Sequence, residues 1–252
     1  MISVSIAMIP IEILPQPDDT TCGPTSLHAV YAFYGDDISL ETVIAEVPYL
    51  ERGGTLAVNL GIHALKREYD VTIYSHDLKV IDPTWFGLPP VDIIERLKRQ
   101  IDHKESKKVR SASRAYIEYL TLGGTLKERS FTASLLRSFF ERSIPILSGL
   151  SATYLYKSRR EYTDSHGRMH YDDVNGHPQG HFVVLCGYDH ERRHVVVADP
   201  CRENPVSHDH YYSVDVDRLI NAILLGIVTY DANLLIIQPR RKGADEKHSS
   251  GR

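Results

Sequence analysis

Cysteine is scarce in this chain. Its 252 residues hold three, Cys22, Cys186 and Cys201. An odd, sparse set excludes a disulfide scaffold and points to a reducing compartment. A basic excess is also lacking: 29 Lys and Arg against 33 Asp and Glu leave a formal net charge of −4. No clustered basic footprint for nucleic acid is therefore expected. No stretch approaches the ~18 continuous apolar residues of a membrane span. The opening MISVSIAMIPIEIL has neither a basic n-region nor a small-residue cleavage site, and Pro10 and Glu12 interrupt it. It reads as an N-terminal strand and not as a signal peptide. A soluble, cytoplasmic protein with no membrane or nucleic-acid partner is the expectation. Internal repeats, low-complexity tracts and the phosphate-loop pattern G-x-x-x-x-G-K-[ST] are absent as well.

What is present is globular: 42% hydrophobic and 25% charged residues. The length suits one large domain or two small ones by the loose rule of roughly 150 residues per domain. It also suffices to bury a full core without staples. PQPDDTTCGPTSLHAVYAFYG (15–35) reads as a loop feeding a buried helix. Asp18, Asp19, Thr20 and Thr21 offer cap oxygens, Leu27, Val30, Tyr31 and Tyr34 form an apolar stripe, and Gly35 ends it. Ser39–Val47 and Thr55–Tyr69 read as two more helices, VTIY (71–74) as a short strand, and DPTWFGLPP (82–90) as a break. VDIIERLKRQI resumes helical periodicity, and the basic stretch HKESKKVRSASR (103–114) reads as a solvated helix face or loop.

Thr132–Ser143 is a helix by the same criteria and PILSGL (145–150) a buried strand. Residues 156–180 carry many charges and no apolar periodicity, as in a long surface loop or hairpin. Strand signals follow at 181–188, 194–199 and 211–214, then a helix from Asp215 to Leu224 and a strand at 234–238. Helices thus fill the first half and antiparallel strands the second, an α+β class. A single domain over 1–240 is expected, helical over about 15–143 and sheet over about 144–240. The polar tail 241–252 reads as disordered.

Cys22 stands where the first loop turns into a helix, so the helix dipole and free amides there favour a negative sulfur. Gly23 permits close approach of another backbone, and Pro24 suits the first turn because its missing N–H costs nothing. A thiol nucleophile also needs a base, an orienter for the base and an oxyanion hole. Gln16, six residues upstream, can donate its side-chain amide to an oxyanion together with the Cys22 N–H. His181 opens one strand and Asp199 ends the next. Paired antiparallel, they would set imidazole beside carboxylate. Asp189 is the alternative carboxylate. Cys186 reads as core and Cys201 as a turn thiol.

Q-x-D-D-x-T-C-G-P-T-S (16–26), G-H-F-V-V-L (180–185) and V-A-D-P (197–200) resemble the bacteriocin-processing (double-glycine leader) type of cysteine peptidase, within the papain-like superfamily. The order Gln, Cys, His, Asp and the six-residue Gln–Cys step match. The motifs cover about a tenth of the chain, and the helix-then-sheet layout extends the match over residues 10–240. The resemblance implies a papain-like fold with the site between helical and sheet parts. It implies Cys22 as nucleophile, His181 as general base and acid, Asp199 as orienter and Gln16 in the oxyanion hole. Typical members are N-terminal domains of membrane exporters with an ATPase module. Here neither a span nor a phosphate loop is present, so a stand-alone relative with a different substrate is expected.

The function expected is cleavage of a peptide or isopeptide bond through a thioester, without cofactor or metal. Acyl transfer or deamidation on the same triad, and an inactive papain-like binding module, are the alternatives. With Gln16 so near Met1, no folded propeptide is expected ahead of the site. Narrow specificity follows, with 156–180 as a lid or subsite wall. A rival constellation, His166, His170, His177 and His181, has a spacing that can suit zinc. It lacks both an evident helix and the H-E-x-x-H pattern.

Overall fold

Short polar side chains fix where most of the helices begin. In the computed structural model, which describes residues 7–50, 53–164 and 168–240, Ser39, Ser106, Thr132, Ser151 and Asp215 each accept a hydrogen bond from a first-turn amide. They cap α2 (Leu40–Glu46), α5 (Lys107–Thr121), α6 (Ala133–Phe140), α7 (Ala152–Tyr156) and α8 (Val216–Leu225). Three helices have no side-chain cap: α1 (Cys22–Phe33), α3 (Ala57–Lys66) and α4 (Pro90–His103).

The basic stretch 103–114 supplies the first half of α5. Val109, Ala112, Ser113, Tyr116, Tyr119 and Leu120 form its buried stripe, while Lys107, Ser111 and Arg114 are exposed on the polar face. Among the described residues no helix is long and apolar enough to cross a membrane.

The strands are β1 (Ala7–Met8), β2 (Tyr69–Ser75), β3 (Thr125–Lys127), β4 (Ile146–Ser151), β5 (Glu161–Thr163), β6 (Met169–Tyr171), β7 (Gly180–Asp189), β8 (His194–Ala198), β9 (Tyr211–Asp215) and β10 (Asn233–Pro239). The main sheet runs β3-β2-β10-β4-β7-β8-β9, with β1 added on β7. Every pairing in it is antiparallel except β2–β3. α1 packs on β7, α3 on β2 and α8 on β4, and all six residues of β4 are buried. Helices plus a mainly antiparallel sheet make the class α+β.

Several boundaries differ from the sequence expectation for identifiable reasons. α3 stops at Lys66 because Glu68 turns the chain with a φ of 64°, and β2 starts at Tyr69. β2 and β3 therefore bring part of the helical stretch into the sheet. At the start of the chain, the ladder on β7 covers Ala7 and Met8 and ends at Pro10, which has no N–H to give. Beyond it Ile11 and Ile13 are buried while Glu12 and Leu14 are exposed. β3 and α7, three and five residues long, are too short to show a periodicity in sequence. Within 156–180 the chain forms a β5–β6 hairpin apart from the main sheet. The expected disordered tail 241–252 lies outside the described residues.

Candidate active site

The loop before α1 spends its polar side chains on itself. Asp18 Oδ1 accepts from both the amide and the hydroxyl of Thr20, each at 2.7 Å, and Thr21 Oγ1 donates back to the Asp18 carbonyl at 3.0 Å. The Asp18, Thr20 and Thr21 oxygens expected to cap α1 are thus engaged within the loop, and Thr21, the N-cap residue, makes no side-chain bond to the helix. Thr25 N reaches the Thr21 carbonyl at 3.0 Å and Pro24 has no N–H. The amides left at the positive end of the helix are those of Cys22 and Gly23.

Gly23 lets that end dock. A Cβ there would lie 2.7 Å from Thr55 Cγ2 and 3.2 Å from Phe182 Cδ2. The close approach is to side chains, one of them on β7, and not to a backbone. Ser26 Oγ donates to the Phe182 carbonyl at 3.1 Å and ties α1 to the same strand.

β7 and β8 bring the next two groups together by register. Val184 pairs with Ala198, so the following residue, Asp199, falls opposite Val183. His181 shares the face of Val183, and the two candidate side chains become diagonal neighbours. His181 Nε2 lies 2.8 Å from Asp199 Oδ1. A carboxylate only accepts, so Nε2 carries the hydrogen and Nδ1 is left for the Cys22 thiol. Cys22 lies within electrostatic reach of His181.

Asp199 has no exposed surface, yet all of its carboxylate capacity is used. Oδ1 also accepts the Cys201 amide at 2.9 Å, while Oδ2 accepts the hydroxyls of Tyr156 at 2.7 Å and Tyr212 at 2.8 Å. Burial pushes its pKa up, but His181, the Tyr156 hydroxyl and the Cys201 amide outweigh burial and hold it below the usual carboxylate range. For His181 burial pushes down, while Asp199 and Cys22 together lift the imidazole well above its ordinary value. Burial, then the Asp199 charge, raises both tyrosines, so they remain protonated donors.

No protein-family model matches the sequence, and no curated protein matches it. Solved structures similar to the chain include the following three. The first is a double-glycine motif protease from an AMS/PCAT transporter, in complex with the leader peptide (14% identity, 92% of this chain and 94% of that one, TM-score 0.43). The second is the peptidase domain of Streptococcus ComA, a bifunctional ABC transporter (11%, 91% and 99%, 0.42). The third is xylellain, a cysteine protease from Xylella fastidiosa (14%, 94% and 85%, 0.42).

The remaining sequence candidates fall as follows. Gln16 is joined to the far side of the site, its amide N bonding the Pro200 carbonyl at 3.0 Å. Its Nε2 donates to the Asp18 carbonyl at 2.9 Å, and Oε1 is buried without a partner among the described residues. Asp189, the alternative carboxylate, instead accepts the amides of Glu191 and Arg192 in the β7–β8 turn. Cys186 sits at a bulge in β7, 1% exposed, with its pKa pushed up to about 12 by burial. Of the four histidines, His170 pairs with Asp164 at 2.9 Å and His181 with Asp199, while His166 lies outside the described residues.

The β5–β6 hairpin borders the site. Burial and the Asp19 carboxylate push Glu161 up, and His181 pulls it down. Tyr171, on the second strand, is within electrostatic reach of Glu161, Cys201 and Asp19. Burial raises the pKa of the Tyr49 hydroxyl, and Asp18 and Cys22 add to it. Sequence reasoning missed Tyr156 and Tyr212. The alternation in β9 marks Tyr212 as inward-facing, but nothing local marks Tyr156.

Proposed function

We propose that the chain is a cysteine-type amide hydrolase that cleaves a peptide or isopeptide bond. The observation that carries this reading is the His181–Asp199 bond at 2.8 Å with Cys22 within electrostatic reach of the imidazole, at a helix N-terminus without a side-chain cap. His181 holds the proton of the Cys22 thiol as the sulfur attacks. The thiolate attacks the carbonyl carbon, and the oxyanion is met by the Cys22 amide and by the second hydrogen of Gln16 Nε2. His181 gives its proton to the departing amine, leaving a thioester. His181 then takes a proton from water, which attacks the thioester and frees Cys22. Asp199, held by Tyr156 and Tyr212, keeps the ring oriented and its positive form stable. The chemistry needs no metal or cofactor. The β5–β6 hairpin is the wall of the substrate cleft and narrows the choice of peptide.

Alkylation with iodoacetamide, followed by mapping of the modified cysteine, tests this directly. Exposure alone ranks Cys201 first, because Cys22 is only 8% exposed and Cys186 is buried. The proposal inverts that order: Cys22 reacts fastest, and His181→Ala slows it far more than it slows Cys201, which His181 reaches only by charge. Labelling that follows exposure and ignores His181 would point to an inert binding module.

A further inference from the structure

Two lysines hold the loop between α8 and β10. Lys79 Nζ donates to the Val228 carbonyl at 3.0 Å and lies 4.5 Å from the centroid of the Tyr230 ring. Lys108 Nζ, from α5, donates to the Thr229 carbonyl at 3.0 Å and lies 4.3 Å from the same centroid. Tyr230 is thereby kept at a φ of 72°, a left-handed conformation that is strained for a bulky residue.

This clamp delivers Asp231, which is 5% exposed and whose Oδ1 is buried with no hydrogen-bond partner among the described residues. Two glycines make room for it. A Cβ on Gly180 would overlap Asp231 Oδ2 and meet Thr229 Oγ1 at 2.7 Å, and one on Gly149 would meet Asp231 Cβ at 2.9 Å. Gly149 pairs with Phe182 across the β4–β7 ladder, so both glycines turn to one face of the sheet and His181 to the other. Gly180 immediately precedes His181.

We infer that Asp231 is a positioning residue for His181: a second buried carboxylate that stabilises the imidazolium through the strand, from the face opposite Asp199. The inference rests on the catalytic reading of His181. The charged and titratable groups within electrostatic reach of Asp231 are Lys108 and Tyr116 on α5, Asp77 after β2 and, across the strand, His181 on β7; Lys79 flanks the loop over Tyr230. Burial pushes the Asp231 carboxyl up to about 7, against the nearby Thr229 hydroxyl, Lys108 and His181, which draw it down. Asp77, also buried, is pushed up to about 6. Asp231 therefore becomes charged as pH rises through neutrality, where a free imidazole has already given up its proton. It extends the range over which the ring of His181 stays positive.

Iodoacetate reads this out, because its anionic carboxylate reacts preferentially while the imidazolium is present. In the full chain, the Cys22 alkylation rate should fall on its alkaline side as His181 loses its proton. Asp231→Asn should move that limb to lower pH by about 0.5–1 unit. An unmoved limb overturns the inference and leaves the catalytic reading intact. Failure of the catalytic reading looks different: Cys22 in the unaltered chain shows no such limb and reacts no faster than Cys201. Should Asp231→Asn fail to fold, carboxyl 13C shifts of the unaltered chain and of His181→Ala provide a second measure. Coupling is reciprocal, so the Asp231 midpoint should rise when His181 is removed, and no movement refutes the link.

Discussion

The Tyr212 hydroxyl donates to Asp199 Oδ2 at 2.8 Å, and the Tyr156 hydroxyl shares that oxygen at 2.7 Å. Each bond joins a neutral donor to a buried carboxylate, a type that contributes about 1.5–3 kcal/mol. Tyr212→Phe should lower the unfolding free energy by that amount in the unaltered background and by much less in Asp199→Asn. A double-mutant cycle from denaturant melts measures the difference. Equal losses in both backgrounds would mean that the hydroxyl is not coupled to the carboxylate charge.

The His181–Asp199 pair predicts a stability window with two edges. The folded imidazole keeps its proton above the pH at which an unfolded one loses it. Its contribution is therefore complete below about 6.5 and lost as pH rises through the folded value. The folded carboxyl is lowered, so its contribution is present above about 4 and lost as pH falls through the folded value. The stability gap between the unaltered chain and Asp199→Asn should be widest between about pH 4 and 6.5 and narrow on both sides. A gap independent of pH would remove charge pairing as its origin.

Gly23→Ala places a methyl 2.7 Å from Thr55 Cγ2 and 3.2 Å from Phe182 Cδ2. Overpacking of this kind costs about 1–3 kcal/mol, and it lifts the Cys22 end of α1 away from β7. Cys22 alkylation should slow with it. Adding Thr55→Ser removes the nearer methyl while keeping the hydroxyl that bonds the Pro48 carbonyl at 2.8 Å. The double variant should recover most of both losses, and no recovery would place the clash elsewhere.

Asp231 carries a stability cost. Its carboxyl is raised to about 7 when folded, so the folded chain holds a proton that the unfolded chain has lost above about pH 4. That proton makes stability fall as pH rises from about 4 to 7. Asp231→Asn cannot titrate, so it should gain stability relative to the unaltered chain over this interval and keep the gain at pH 8. Thermal melts across the interval test the sign. A variant equally destabilised at every pH would show that the carboxylate is structural.

The hairpin predicts a separation of reactivity from selectivity. Replacing Glu161–Tyr171 by a short Gly-Ser linker should leave Cys22 alkylation within a few-fold of its starting rate, because Cys22, His181, Asp199 and Gln16 lie elsewhere. Selectivity across a peptide library should broaden. Identical selectivity before and after replacement would dismiss the hairpin as a cleft wall.

Much of the fold is legible locally because its signals are local. Ser39 and Thr132 announce α2 and α6 through bonds that span three residues. The apolar runs at 146–150 and 181–188 announce β4 and β7. Other parts depend on distant residues. Thr21 looks like a cap for α1, but its hydroxyl turns back to Asp18. β3 is three residues long and exists because β2 offers it a parallel edge.

The sequence alone determined the order Gln16, Cys22, His181, Asp199, the uncommitted cysteines and the short step between two strands. Those are properties of neighbouring residues and their spacing. Tertiary structure alone decided which His181 nitrogen faces Asp199, which tyrosines hold that carboxylate and what stands behind Gly180. Tyr156 and Asp199 are 43 residues apart, and Lys108 and Thr229 are 121 apart. Contacts over such separations follow from strand register and helix docking, and no local pattern of polar and apolar residues encodes them.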